Sequence, residues 1–314
     1  MIFTAILYVV INMSLIDLLA QHKTISLIGM TKNAGKTTVL NYLIEEYAKN
    51  SIRLGLTSIG RDGEDVDVVT FTPKPKIFVQ AGTILATAEG LLKFCDISAK
   101  TLSETEFSTP LGQVVIVRAM SAGFVQLGGP SMVAQMAQLL PLLQGFGADK
   151  VIVDGAISRK SPASPQIADA VVLCTGAALS QNINEVIIQT RHVANILLLQ
   201  TSPCSHFHIN GALTDRFLLK LITSSENLRD KVIVANDASK ILISKETHEK
   251  LRTKGGSLAV KHPINLVAIC INPTSPKEAG FDAKQFLQQM RTAITDIPIF
   301  DVKNIDSIDS FVHP

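Results

Sequence analysis

Residues 29–38 read Gly29-Met30-Thr31-Lys32-Asn33-Ala34-Gly35-Lys36-Thr37-Thr38, and this stretch decides how the chain should fold. It closes on Gly-Lys-Thr, the end of a Walker A phosphate-binding loop, G-x-x-x-x-G-K-T. The match has one deviation, because Met30 holds the first glycine slot and Gly29 stands one residue earlier. In such a loop the backbone N–H groups surround a di- or triphosphate, the lysine reaches the β- and γ-phosphates, and the threonine hydroxyl ligates Mg²⁺.

The sequence on either side of residues 29–38 predicts a strand and a helix. Thr24-Ile25-Ser26-Leu27-Ile28 is an apolar run typical of a buried strand, and apolar residues recur at helical spacing from Lys36 to Lys49. A strand, a glycine-containing loop and a helix place phosphates at a helix N-terminus. We therefore expect Lys36 to act in catalysis and Thr37 to bind Mg²⁺. The predicted nucleotide contacts are Gly29, Lys32, Asn33, Ala34, Gly35, Lys36, Thr37 and Thr38.

A second apolar run ends in a carboxylate that could complete this site. Val151-Ile152-Val153 predicts a buried strand, and Asp154 follows it directly. Ligands of open α/β sheets bind beyond the carboxyl ends of the strands, where the 29–38 loop would also lie. A carboxylate there would hold Mg²⁺ directly or through water, as the Walker B aspartate does. The alternative is that Asp154 caps the segment that follows it.

An acidic turn after the next predicted strand, Ile52 to Ile59, supplies another candidate. Asp62 is followed by a glycine and by three further acidic residues up to position 67. In phosphoryl-transfer enzymes a carboxylate in this place organises Mg²⁺ or positions the attacking water. Asp62 is therefore the second candidate catalytic residue, although a solvated acidic loop would explain the same sequence.

Two further features have both a functional and a structural interpretation. Lys32 precedes Lys36 by four residues, whereas P-loop dimers that reach across to a partner's nucleotide place the extra lysine five residues ahead, so a solvent-facing lysine is the alternative. Gly128-Gly129-Pro130-Ser131 could form an anion site at a helix N-terminus or a plain helix start, with Pro130 or Ser131 near the cap.

The composition is typical of a globular protein and gives no indication of nucleic-acid binding. Of the 314 residues, 46% are hydrophobic and 18% charged, and the formal net charge is only +2 with no lysine- or arginine-rich run. The four cysteines lie far apart, which suits a reducing, cytoplasmic compartment. Residues 1–12 are strongly apolar but lack a basic flank, and Asp17 interrupts the run, so we expect no stable membrane insertion and favour a start at Met13.

Apolar runs alternate with helical patterns, which predicts an α/β fold with a mainly parallel sheet. We expect a three-layer P-loop domain over 13–200 and a smaller α/β domain over 201–314. In the first, Ile196 to Gln200 is predicted to be a strand, and Pro141 should end or kink the helix that opens after Gly128-Gly129. No N-K-x-D run that would read guanine follows the loop, which weakly favours ATP. The oligomeric state stays open.

Several strings together resemble one family. They are the 29–38 segment, Thr57-Ser58-Ile59-Gly60-Arg61-Asp62-Gly63-Glu64, Val153-Asp154-Gly155-Ala156, Ser158-Arg159-Lys160-Ser161 and Thr175-Gly176-Ala177. The chain from Met13 resembles the nucleotide-binding subunit of the lysine 5,6-aminomutase reactivase. That resemblance implies a chaperone-like protein in lysine degradation. With a partner ATPase subunit and Mg-ATP, it would restore an adenosylcobalamin-dependent aminomutase by exchanging damaged cofactor for intact cofactor.

A more distant resemblance keeps other functions open. Asp154-Gly155-Ala156 is similar to the Glu-Gly-Ala stretch of dethiobiotin-synthetase-like and cobyrinate-synthetase-like ATP enzymes, but the acid here is aspartate and no amidotransferase Cys-His pair follows. The alternatives are a stand-alone ATP-dependent ligase or kinase that phosphorylates a carboxylate, and a nucleotide-sensing regulator that binds without hydrolysis.

Overall fold

The structure is a computed structural model that describes residues 13–59, 77–155, 163–203, 207–224, 228–276 and 279–304. Its α-helices are α1 (Leu15–Leu19), α2 (Lys36–Lys49), α3 (Val133–Gly145), α4 (Ile183–Leu197), α5 (Asp215–Ser224), α6 (Lys245–Thr253) and α7 (Ala283–Ala293). Its strands are β1 (Thr24–Gly29), β2 (Leu54–Ser58), β3 (Ile77–Val79), β4 (Ile84–Ala88), β5 (Ala99–Thr109), β6 (Gly112–Ala119), β7 (Gly123–Val125), β8 (Lys150–Asp154), β9 (Ala170–Gly176), β10 (Phe207–Ile209), β11 (Leu213–Thr214), β12 (Val232–Asp237), β13 (Ile241–Leu242), β14 (Ser257–His262), β15 (Leu266–Asn272) and β16 (Ile299–Phe300).

A nine-stranded sheet forms the centre of the molecule, in the order β16-β15-β9-β1-β8-β2-β4-β6-β5. The pairs from β16 to β4 are parallel, and β6 runs antiparallel to both β4 and β5. The predicted α/β fold with a mainly parallel sheet is thereby confirmed. Strand β1 lies near the middle, between β9 and β8, so the loop that follows it opens at the centre of the sheet edge.

Helices cover both faces of this sheet, and each face has its own apolar core. On one face Leu27 of β1 and Ile152 of β8 share a core with Val39 and Leu40 of α2. On the other face Ile28 packs in the core formed with α3 and α4, to which Leu140 and Val186 belong. Successive side chains of a strand point to opposite faces, so β1 is apolar throughout and buried on both sides.

The strands beyond residue 200 divide among three sheets, one of which is the central sheet, and β11 and β13 form a small parallel pair of their own. Strands β15 and β16 join the central sheet beside β9, whereas β10, β12 and β14 form a separate three-stranded parallel sheet. The reason lies in the sequence of β15, Leu266–Asn272, which is apolar at almost every position and buried over most of its length. A strand of that kind needs cover on both faces, and the interior of a parallel sheet provides it.

One local prediction was wrong. Ile196 and Leu197 were expected in a strand but complete the last turn of α4, where both are fully buried. Pro141 was expected to end or kink α3, and it does not end the helix, which continues to Gly145. Tertiary packing explains this continuation, because Leu139, Leu140 and Leu143 anchor the turns around the proline in the core.

The N-terminal end of the described chain is a short capped helix. Ser14 caps α1, because its hydroxyl accepts a hydrogen bond from the N–H of Asp17. The Asp17 carboxylate, which interrupts the apolar run in the sequence, accepts from the N–H of Ser14, so the two residues form a capping box. No helix within the described ranges combines the length and apolar character needed to cross a bilayer. Residues 1–12 lie outside the described residues, as does the whole of the stretch from Gly60 to Glu64.

Candidate functional site

The 29–38 segment connects the end of β1 to the start of α2 through two left-handed residues. Asn33 has φ 60° and Gly35, the residue before the helix, has φ 97°. The N–H of Met30 donates to the carbonyl of Cys174 in β9 at 3.0 Å, so the segment starts firmly attached to the sheet. Ala34 is buried, whereas Lys32 and Asn33 are exposed. The turn therefore brings its backbone to the N-terminus of α2, the place where a helix attracts anions.

Gly29 gives Lys36 its place over the end of β1. A Cβ at position 29 would lie 3.0 Å from Lys36 Nζ and 3.1 Å from its Cγ and Cδ. The lysine side chain thus folds back across the last residue of the strand instead of extending away from it. A side chain at position 29 would therefore press on Lys36, and glycine leaves the lysine room to lie across the strand end.

Asp154 lies at the same end of the sheet, on the strand next to β1. It pairs in register with Leu27, and the N–H of Gly155 donates to the Leu27 carbonyl at 2.8 Å. In-register neighbours of parallel strands present their side chains on the same face, and Leu27 belongs to the core under α2. The carboxylate therefore lies on the α2 face, the side from which Lys36 approaches.

The electrostatics of Asp154 are those of a buried carboxyl group with one nearby cation. Burial raises its pKa to about 6, against the opposing influence of Lys36. Its Oδ1 atom is buried, and within the described residues no donor bonds to it. Leaving a buried acceptor unpaired costs on the order of 1–3 kcal/mol, more for a charged group. Such an atom is suited to a ligand that the protein itself does not supply.

The oxygen groups gathered here suit magnesium. Mg²⁺ prefers oxygen ligands, keeps several waters, and is bound through one or two protein groups plus substrate phosphates. Thr37 lies in the first turn of α2, and the unpaired Oδ1 of Asp154 lies on the face of the sheet that α2 covers. The described residues contain no group of three or more His, Cys, Asp or Glu side chains that could hold a metal alone. Phosphate oxygens would have to complete the shell.

Asn272 is a residue of this site that sequence reasoning missed. It is the last residue of β15, and its Nδ2 donates to the carbonyl of Asn33 at 3.0 Å, while its Oδ1 accepts from Thr274. A Cβ on Gly35 would lie only 2.9 Å from the Cβ of Asn272. The asparagine thus supports the loop from the side. In the sequence, its role was indicated only by the fact that a polar residue ends an otherwise apolar strand.

The Gly128–Ser131 stretch lies beside the same edge of the sheet. A Cβ at Gly129 would lie 2.3 Å from the carbonyl oxygen of Ser58, at the end of β2. Helix α3 begins later than predicted, because Met132 is its N-cap residue and supplies no side-chain bond there. Pro130 and Ser131 immediately precede this cap residue and so lie near the cap, as predicted, and Gly129 is needed for close packing against β2.

The predicted residue Asp62 lies outside the described residues, and so do Arg159 and Lys160. Comparison with protein-family models, with curated proteins and with solved structures finds no match in any of the three. The assignment of function below therefore depends on the geometry of this site and on the sequence motif.

Proposed function

We propose that the chain binds Mg-ATP between the 29–38 segment and Asp154, and that it acts as an accessory, reactivase-type subunit of an adenosylcobalamin-dependent aminomutase. One observation carries the binding part of the proposal. Asp154 Oδ1 is buried without a partner among the described residues, on the face and at the strand end where Lys36 folds back over β1. A cation held jointly by this oxygen, Thr37 and phosphate would satisfy it.

Each residue of the site then has a separate task. Backbone N–H groups of the turn around Asn33–Gly35 cradle the phosphates, assisted by the N-terminus of α2. Lys36 neutralises charge on the β- and γ-phosphates, and Thr37 and Asp154 hold the Mg²⁺. The metal polarises the phosphoryl oxygens when it is bound. Asp62 is proposed to position the attacking water.

Asn272 keeps this arrangement in place through a strand distant in sequence. Its bond to the Asn33 carbonyl fixes the loop backbone to the end of β15. Loops held in their bound geometry before the ligand arrives lower the entropic cost of binding. The contact therefore supports an ATP site that is formed in advance.

The accessory role rests on the resemblance of the quoted strings. A ligase needs a polar substrate pocket next to the transferred phosphate. A cavity of about 390 Å³ is lined by Asn195, Leu199, His248 and Arg252, among others. These residues stand at the far end of α4, whose 15 residues span roughly 22 Å from the carboxyl edge of the sheet. This cavity is thus poorly placed to receive a phosphoryl group from ATP at residues 29–38.

In this function ATP acts by population shift. Bound triphosphate and Mg²⁺ favour one conformation of the protein, and hydrolysis releases it, which changes affinity for the client. An accessory subunit of this type hydrolyses ATP slowly alone and faster with its client. A ligase or kinase would turn over without a protein partner, and a sensor would bind without turnover.

The test has two stages. Calorimetry with Mg-ATP and Mg-GTP measures binding, and we expect saturable binding of ATP. The protein, its partner ATPase subunit, Mg-ATP and intact adenosylcobalamin are then added to an inactivated aminomutase, and recovery of activity is expected. Binding without recovery, with a competent partner, would overturn the accessory role and leave the nucleotide site standing. Absence of binding would overturn both.

A further inference from the structure

We propose that Ser58 is a positioning residue of the magnesium site and bonds a water molecule in the Mg²⁺ shell beside Asp154. This inference deepens the proposed function and rests on it. Ser58 is the last residue of β2 and is only 6% exposed. Its Oγ is buried, and it forms no hydrogen bond within the part of the chain that the structure describes.

An unpaired buried hydroxyl at this position needs an explanation, because the strand offers ordinary ways to satisfy it. The preceding residue, Thr57, donates its hydroxyl to the carbonyl of Ala86 at 3.0 Å. Ser58 makes no such bond, although a serine hydroxyl can rotate to suit a neighbour. Buried polar atoms without a partner in the folded chain are often hydrogen-bonded to an ion, a ligand or an ordered water when that species is bound.

Register places this hydroxyl next to the unpaired carboxylate oxygen. Ser58 pairs with Asp154, which pairs in turn with Leu27 of β1, so the three residues form one row across adjacent parallel strands. Neighbouring strands lie about 4.8 Å apart, and in-register side chains share a face. The N–H of Ile59 donates to the Asp154 carbonyl at 3.1 Å, which holds the two strand ends together. Two buried, unpartnered oxygens, Oγ and Oδ1, therefore lie on the α2 face at the same edge.

The order of strands decides the role of Ser58. Strand β8 lies between β1 and β2, so Asp154 is closer to the 29–38 segment and Ser58 is one strand farther away. Mg²⁺ retains several of its waters when it binds to a protein. A hydroxyl at this position accepts a hydrogen bond from such a water, which in turn lies beside the carboxylate. Groups that orient metal ligands in this way typically change metal affinity by about 10–100-fold when removed.

The test compares two variants that each delete one buried, unpartnered hydroxyl. Ser26 in β1 also has a buried Oγ without a partner among the described residues. It pairs with Val153, which lies in the core on the opposite face. Ser26→Ala is therefore the matched control for Ser58→Ala, and Ser58→Cys tests the position with the side-chain size conserved.

Calorimetry measures ATP affinity as a function of Mg²⁺ concentration for each protein, and in EDTA. In Ser58→Ala and Ser58→Cys we expect the Mg²⁺ concentration for half-maximal binding to rise about tenfold. ATP affinity in EDTA should be unchanged, and Ser26→Ala should match the wild type in both conditions. Equal Mg²⁺ dependence in the wild type and both Ser58 variants would overturn the inference. A wild type that binds no ATP would instead overturn the proposed function, so the two failures are distinguishable.

Discussion

The side-chain amide of Asn272 donates to the backbone carbonyl of Asn33 at 3.0 Å, across 239 positions of sequence. The contact joins the end of β15 to the turn before α2. It makes the strand predicted to belong to a second domain part of the candidate nucleotide site. The loop is consequently held from three neighbouring strands, since β1 leads into it and β9 accepts a hydrogen bond from Met30.

Asn272→Ala should weaken ATP binding more than it affects folding. It removes one hydrogen bond to a loop carbonyl and the side chain that packs beside Gly35. A typical bond of this kind contributes about 0.5–1.5 kcal/mol, so a loss of about 3–10-fold in affinity is expected by calorimetry. Asn265→Ala, which removes a bond to the Asp169 carbonyl at the opposite end of β15, is the control. Equal affinities for the two variants would contradict the role of Asn272.

Lys36→Ala should abolish measurable Mg-ATP binding and leave the fold intact. The lysine is half-buried over Gly29, and its charge lies near Asp154, so its loss removes the cation that is proposed to neutralise the phosphates. The matched control is Lys49→Ala, because Lys49 lies at the other end of the same helix and is exposed. Circular dichroism verifies folding, and calorimetry measures affinity. Binding that survives in Lys36→Ala, or is lost equally in Lys49→Ala, would contradict the assignment.

The part of the site nearest to the sequence motif was predictable, and the part made by distant strands was not. Lys36–Lys49 forms the helix that apolar spacing predicted, and Asp154 stands at the end of its strand as expected. The positions of Ser58 and Asn272 depend on which strands become neighbours, and strand order is a property of the whole chain. The polar strand β5 was not predicted either, because it has exposed residues on both faces and lacks the apolar run that identifies a buried strand.

Lys150→Met should destabilise the protein at the opposite edge of the sheet. Lys150 is only 7% exposed, and its Nζ donates to the carbonyls of Leu19, Ala20 and His22 at 3.0, 2.8 and 2.7 Å. These bonds close the end of α1, and methionine would leave the carbonyls unpaired. A loss of about 2–4 kcal/mol in the free energy of unfolding is expected from chemical denaturation.

The control for this change is Lys49→Met, because Lys49 is exposed and bonds only to side chains of its own helix. Exposed ion pairs contribute little to stability. A Lys150→Met protein as stable as the Lys49→Met protein would show that the three carbonyl bonds are replaced by water at no cost.

Asp154→Asn should raise the free energy of unfolding of the ligand-free protein at neutral and alkaline pH, and leave it unchanged at acidic pH. The pKa of Asp154 is raised to about 6 by burial, from an ordinary value of 3.8. A carboxyl group whose pKa is raised in the folded state favours folding while it is protonated. That contribution is complete below pH 3.8 and is lost as the pH rises through about 6. Asparagine keeps a neutral side chain throughout.

Denaturation in Mg²⁺-free buffer across this range measures the difference directly. At pH 8 the Asn variant should be more stable by about 1–3 kcal/mol, and below pH 4 the two proteins should be equal. Saturating Mg-ATP should then reverse the order at pH 8, because the ligand stabilises the protein that binds it and the variant has lost a Mg²⁺ ligand. A difference that does not depend on pH would show that the buried carboxylate is neutralised within the protein, and no cation would be needed to explain it.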